Sequence, residues 1–185
     1  MGHGGDVIAE LTADHREVDD LFAEIEKAPA GSDERKKLAD RLTIELVRHS
    51  VAEEEHLYPA VREHLPQGDA IADKELTDHS KVEQLLKQLE HRDADAHDFD
   101  KIVAELRFEV TSHVHDEETN LFVKLRQTCS AERLEELGDK IRSAKKAAPT
   151  RPHPGAPNTP PLNKLLAPGT GFVDRVRDHV TGRGK

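Results

Sequence analysis

The stretch 49-HSVAEEEHLYP-59 has a counterpart in 113-HVHDEETNLFV-123, at a constant offset of 64 residues (49 to 113). In each, a histidine precedes a glutamate by four residues, a second glutamate follows at once, and a Leu-aromatic pair comes three residues later. The same offset carries 14-DHREVDDLF-22 onto 78-DHSKVEQLL-86, so His15 corresponds to His79 and Asp19 to Glu83. Residues four apart on an α-helix share a face, one turn apart. Four such faces turned inward would enclose imidazoles and carboxylates together. That is the pattern of a metal site.

The surrounding spacing supports this. At about 100° per residue, Glu53 stands roughly 40° round from His49, with Leu42, Leu46 and His56 near the same meridian. The polar pair therefore interrupts a core stripe. An uncompensated carboxylate inside a helical bundle costs several kcal/mol, more than a marginally stable domain can spare. Depth agrees as well: His15 lies 17 residues before Ser32 and His49 17 after it, while His79 lies 16 before Asp95 and His113 18 after. Each hairpin thus sets its histidines at one level, about 25 Å of helix from its turn.

The donors are nitrogen and oxygen without sulfur, which disfavours structural zinc and copper(I) and suits iron, or manganese behind it. His15, His49, His79, His113, Glu53 and Glu117 exceed what one ion needs. Two ions bridged by Glu53 and Glu117 account for them, with Glu83 available as a further terminal ligand. Asp19 shares the site face one turn beyond His15, either as ligand or imidazole acceptor or as half of a boundary salt bridge. Glu54 and Glu118 fall about 100° off the stripe and read as solvent or flank residues. Tyr58 falls opposite His49 and reads as packing at the Pro59 bend, unless a kink there turns it inward.

Apolar periodicity places the first helix over 6–27, the second over 33–57 with a resumption past Pro59, the third over 70–91, and the fourth over 99–126. Ser32 and Ser130 read as caps, and 131–146 as a weaker fifth helix. Short connections between long helices predict an all-α, up-down-up-down four-helix bundle with an additional C-terminal helix and a Pro-rich tail. The expected division is 1–146 for the bundle with its fifth helix, 147–171 for a Pro-rich flexible linker, and 172–185 for a short amphipathic helix or tail. In 172-FVDRVRDHV-180, Phe172, Val173, Val176 and Val180 share a face, which suits either docking on the bundle or recognition by a protein partner.

Composition narrows the function. Among 185 residues, 27 Lys and Arg stand against 37 Asp and Glu, giving a net charge of -10. No basic stripe marks a nucleic-acid partner, and adhesion to anionic membrane is disfavoured. Cys129 is the single cysteine, so neither a disulfide framework nor a thiolate cluster forms within one chain. No 18-residue apolar run exists, and MGHGGDVIAELTADH lacks a basic-then-apolar leader, which makes the cytoplasm the expected compartment. A monomer or weak dimer is expected. No Gly-rich loop suggests a nucleotide, and neither Cys129 nor a serine is paired with an inward histidine as a hydrolase would need.

On His15, His49 with Glu53, His79, and His113 with Glu117, the chain over about 6–127 resembles a hemerythrin-like, or HHE cation-binding, domain. The resemblance implies a non-haem pair of iron ions, bridged by two carboxylates and an oxo or hydroxo group. His15 and His49 would serve one iron, His79 and His113 the other. The oxygen-carrying members have a further histidine where this chain has Glu83. They also place the last carboxylate five residues after its histidine, the position of Glu118 rather than Glu117. A more anionic site favours ferric iron. Hydrogen peroxide decomposition of a catalase-like kind is therefore expected ahead of O2 or NO binding, sensing or iron storage. A helical interaction module without metal is the remaining alternative. Ferritin-like oxidases would carry ExxH pairs instead.

Overall fold

The computed structural model describes residues 3–156, 162–181 and 183, the side chains of 162–168, 180 and 181 excepted. It is all-helical, with no strand among the described residues. Helices α1 (Val7–Lys27) and α2 (Asp33–Ala52) make the first hairpin, and α2 runs through a π-helical turn (Glu53–Leu57) into α3 (Tyr58–His64). Helices α4 (Gly68–Glu90) and α5 (Phe99–Asp116) make the second, and α5 runs through another π-helical turn (Glu117–Leu121) into α6 (Phe122–Thr128). Then come α7 (Ala131–Ala147) and α8 (Leu162–Thr181).

The ends of these helices follow from their sequence. Asp6 Oδ1 accepts the Ala9 amide, Ser32 Oγ that of Arg35, and Ser130 Oγ that of Arg133. Each such cap is worth about 1 kcal/mol against alanine.

Two apolar clusters fill the interior, and a polar layer divides them. Beside the hairpin turns pack Leu21, Phe22, Ile25, Leu42, Leu86, Leu89, Phe99 and Leu106. At the other end, Val7, Leu11, Leu57, Val61, Leu121 and Leu125 pack with Leu134, Leu137 and Ile141 of α7. Fully burying one such side chain contributes about 1.5–3 kcal/mol, so either cluster alone outweighs one misplaced polar group. The histidines occupy the level between the clusters: His15 follows Leu11 and precedes Val18, and His113 follows Val110 and precedes Leu121.

The second and fourth helices are not the uninterrupted α-helices that their periodicity predicts. In the first π-turn the Tyr58 amide bonds the Glu53 carbonyl, five residues back, and in the second Phe122 bonds Glu117 likewise. The wider ring brings the aromatic nearly over the glutamate instead of round to the far side. Pro59 contributes at the first turn, since it has no N–H and its ring crowds the carbonyl four residues back. Val123 stands at that place in the second. The feature shared by both turns is a buried glutamate above a buried aromatic, and π-turns of this kind gather at functional sites.

The C-terminal segment also departs from expectation. Helix α8 begins at Leu162, inside the stretch read as an extended linker, and passes through Pro168. A mid-helix proline forfeits a hydrogen bond, which is why local sequence argued against a helix there. Docking compensates. Gly171 lets α8 approach closely, since a Cβ there would stand 2.3 Å from the Ala147 carbonyl oxygen. Asp174 accepts from the amides of Thr150 and Arg151 and lies 2.9 Å from His153 Nε2. Asp178 accepts from Thr150 Oγ1 and Arg151, and Arg151 also donates to Glu90. The helix therefore docks by its acidic face. Phe172, Val173 and Val176, which the sequence left to docking on the bundle or to a partner, do not dock: they are 65%, 63% and 51% exposed, and Val180 lies outside the described side chains.

Candidate metal centre

The four helical faces bring His15 from α1, His49 from α2, His79 from α4 and His113 from α5 around Glu53 and Glu117, one from each π-turn. Glu53 and Glu117 have no exposed surface, and all four histidines are buried. The imidazole Nε2 atoms point inward. His49 Nε2 lies 3.1 Å and His79 Nε2 3.3 Å from Glu53 Oε2. His15 Nε2 lies 3.4 Å and His113 Nε2 3.6 Å from Glu117 Oε2, while the Nε2 atoms of His79 and His113 are 3.2 Å apart.

A carboxylate stands behind each ring. Nδ1 of His15 lies 2.9 Å from Glu118, Nδ1 of His49 lies 3.3 Å from Asp14, and Nδ1 of His79 lies 3.0 Å from Glu54. Nδ1 of His113 lies 2.9 Å from Glu75 Oε2, off the line of a hydrogen bond. With the Nδ1 proton held outward, the Nε2 lone pair is left for the interior, as in histidines that bind metals. Glu54 and Glu118 are thus not solvent residues; they reach the histidine of a neighbouring helix, because the π-turn re-aims the residue after the first glutamate. Their recurrence in register across the repeat was the available signal. Asp14 precedes His15 within the quoted repeat, yet nothing in local sequence tells that it serves His49.

Tyr58 also reaches the centre. Its side chain is buried, with the hydroxyl 2.9 Å from His79 Nε2, 3.3 Å from Glu117 Oε1 and 3.4 Å from Glu53 Oε2. The reading of Tyr58 as packing at the Pro59 bend is corrected by the π-turn. Its repeat partner Phe122 stacks on His15 with ring centroids 5.8 Å apart, so at this position the halves differ by one hydroxyl.

Glu83 does not join the centre. Its carboxylate accepts the backbone amide of His153, and none of the clusters of candidate ligands among the described residues includes it. One helical turn beyond His79 was a sound reason to expect it. The 147–153 segment, which claims it, is too far along the chain for local spacing to reveal. Asp19 lies at the boundary instead, pairing with Arg107 at 3.4 Å.

The donor set fits a cation. His15 Nε2, Glu53 Oε1 and Glu117 Oε2 are buried with no hydrogen-bond partner, a costly arrangement for polar atoms. In the metal-free chain, protons make up part of the deficit. Burial pushes the His79 imidazole down, but hydrogen bonds to Glu53 and Glu54 outweigh it and hold the group up to about 10. Burial opposes a charged His49 too, and the charge of Glu53 with the hydrogen bond to Asp14 raises it well above its ordinary value. Burial would lift the Glu53 carboxyl; His49 and His79 hold it well below the usual range. Ligands in this state exchange protons for metal.

Comparison with known proteins places this geometry. The family model of the hemerythrin HHE cation binding domain matches residues 6–125. An uncharacterized hemerythrin-like protein of Schizosaccharomyces pombe is 28% identical over 166 residues, covering 89% of this chain and 81% of that protein. A Nostoc protein named DNA nickase is 32% identical over 139 residues, 73% of this chain but 38% of the Nostoc protein. The crystal structure of a hemerythrin HHE cation binding domain-containing protein from Mycobacterium kansasii superposes with a TM-score of 0.68 at 23% identity, covering 77% of this chain and 86% of that one. That likeness is one of fold.

Proposed function

The chain belongs to the hemerythrin HHE cation-binding family, and from that premise we propose that it is a non-haem di-iron protein that decomposes hydrogen peroxide. The observation that carries the reading is the pair of buried carboxylate oxygens without a hydrogen-bond partner, Glu53 Oε1 and Glu117 Oε2, ringed by four inward-facing imidazoles. His15 and His49 would hold one iron, His79 and His113 the other, and Glu53 and Glu117 would be shared. Bound there, iron supplies one-electron redox chemistry and Lewis acidity toward a ligand of peroxide size.

The chain's own residues shape what can happen. Asp14, Glu54, Glu75 and Glu118 stand behind the imidazoles and strengthen them as donors, which favours the oxidised metal over reversible O2 carriage. Glu83, engaged with His153, adds nothing to this. The Tyr58 hydroxyl lies in the interior within hydrogen-bonding reach of both glutamates, Glu53 and Glu117. Burial of every donor limits access to molecules about as small as H2O2, O2 or NO.

Stopped-flow addition of H2O2 to the diferric protein, with O2 followed at an electrode, tests the proposal. Catalytic O2 release that disappears with the iron and in His113→Ala supports it. A stable O2 or NO adduct without peroxide turnover would instead favour binding or sensing.

A further inference from the structure

Lys145 belongs to α7, beyond the residues that the family match covers. It is nonetheless buried, with Nζ 2.5 Å from Asp14 Oδ1 and 3.0 Å from Glu10 Oε1. The other oxygen of Asp14, Oδ2, faces Nδ1 of His49 at 3.3 Å. A chain of three side chains thus runs from the fifth helix to a candidate ligand. Packing does not call for an ammonium there: Leu134, Leu137, Ile141 and Ala144 already seat α7 in the apolar cluster. Burying a charge is tolerated only where partners compensate it.

The two partners depend on Lys145 unequally. Glu10 also accepts the amides of His3 and Gly4 and meets Arg142, so it stays partnered without the lysine. The other neighbours of Asp14 are His49 and the ring of His3, whose Nε2 lies 3.2 Å from Oδ1. Without Lys145, His3 can draw the carboxylate outward. The other half of the centre is built differently. Glu75, behind His113, meets Lys74 at 3.3 Å, but Lys74 is half exposed and shared with Asp78 and Asp116.

We propose that Lys145 is a positioning residue for the His49 half of the centre: it holds Asp14 where it accepts a hydrogen bond from Nδ1–H of His49, and so keeps Nε2 aimed at the interior. The inference rests on reading the cluster as a metal centre. It makes the fifth helix part of the site's support.

Cobalt(II), a divalent ion with visible ligand-field bands, is titrated into the metal-free full-length protein. Lys145→Met is expected to weaken one of two binding steps about tenfold, the low end of what loss of a residue supporting a metal ligand costs, and to shift the associated band. Lys145→Arg should restore both, and Lys74→Met should leave that step unchanged. Asp14→Asn should reproduce the loss, and the double variant should lose no more than either single one. Two unchanged steps in Lys145→Met, or losses that add in the double variant, overturn the proposal. If Lys145→Met loses its helical circular dichroism, Asp14→Asn decides alone, since it leaves the Lys145–Glu10 pair; wild-type affinity there overturns the proposal. A wild-type protein that takes up no cobalt refutes the metal reading itself. In that case the His49 Nδ1 proton resonance of the metal-free protein decides for Lys145. It should move in Lys145→Met and stay in Lys74→Met; if it stays in both, Lys145 has no such role.

Discussion

The phenolic hydroxyl of Tyr58 stands 2.9 Å from Nε2 of His79, a contact that the repeat-related pair Phe122 and His15 cannot make. At this repeat-related position the two halves therefore differ by one oxygen atom. In the metal-free chain, burial and then the charges of Glu53 and Glu117 push the Tyr58 phenol well above its ordinary value, keeping it protonated. A bound cation reverses the sign of that field. The iron(III)-loaded protein is expected to show a visible phenolate-to-iron band, absent from Tyr58→Phe at equal iron content. A spectrum that is the same in both would confine Tyr58 to hydrogen bonding.

Metal content should separate the residues of the centre from those near it. His49→Ala or His113→Ala is expected to remove most of the metal and to destabilise the protein, because the buried glutamates lose their compensating cation. His64→Ala and Glu83→Gln should keep it, with Glu83→Gln costing about 1–2 kcal/mol through its hydrogen bond to the His153 amide. Elemental analysis of protein from iron-replete medium, alongside thermal melts, reads both. Iron lost from Glu83→Gln would return that carboxylate to the centre.

Docking of α8 should depend on pH through His153 and Asp174. The hydrogen bond to Asp174 raises His153 above its ordinary 6.5, although burial opposes it. Its contribution is complete below about pH 6.5 and is lost as pH rises through the folded value. Burial would raise the Asp174 carboxyl, but His153 outweighs it and holds the group below 3.8. That contribution is complete above about pH 4 and is lost as pH falls through the folded value. Protection of the amides over 172–179, relative to their intrinsic exchange rates at each pH, should be greatest between those limits, and His153→Gln should flatten the alkaline side. Protection independent of pH would mean that the ion pair holds nothing.

Removing the chain after Lys146 should leave the candidate metal ligands in place, because the chain from α1 to α6 supplies all of them. It should lower the melting temperature, since Glu90 and Glu83 lose Arg151 and the His153 amide. At roughly 2–4 °C per kcal/mol for a chain of this size, a few degrees are expected. Iron lost together with the tail would tie α8 to the centre.

The repeat and its helical spacing were enough to derive the bundle, the common level of the four histidines and the inward place of Glu53 and Glu117. Each of those depends on periodicity along one helix or on equal distances from a turn, which neighbours in sequence encode. What lay beyond local spacing needed the fold. The π-turns shift the register after Glu53 and Glu117, so straight-helix geometry put Tyr58, Glu54 and Glu118 on the wrong faces. Asp14 and Glu75 gain their roles from histidines on adjacent helices, and Lys145 from a helix that the repeat does not contain. Glu83 stands apart from the cluster for the same reason: the backbone amide that holds it arrives 70 residues later. Helix α8 forms despite Pro168 because Gly171 and two buried aspartates find partners that only folding brings near. Local pattern specified which groups face inward; chain closure decided what each of them meets.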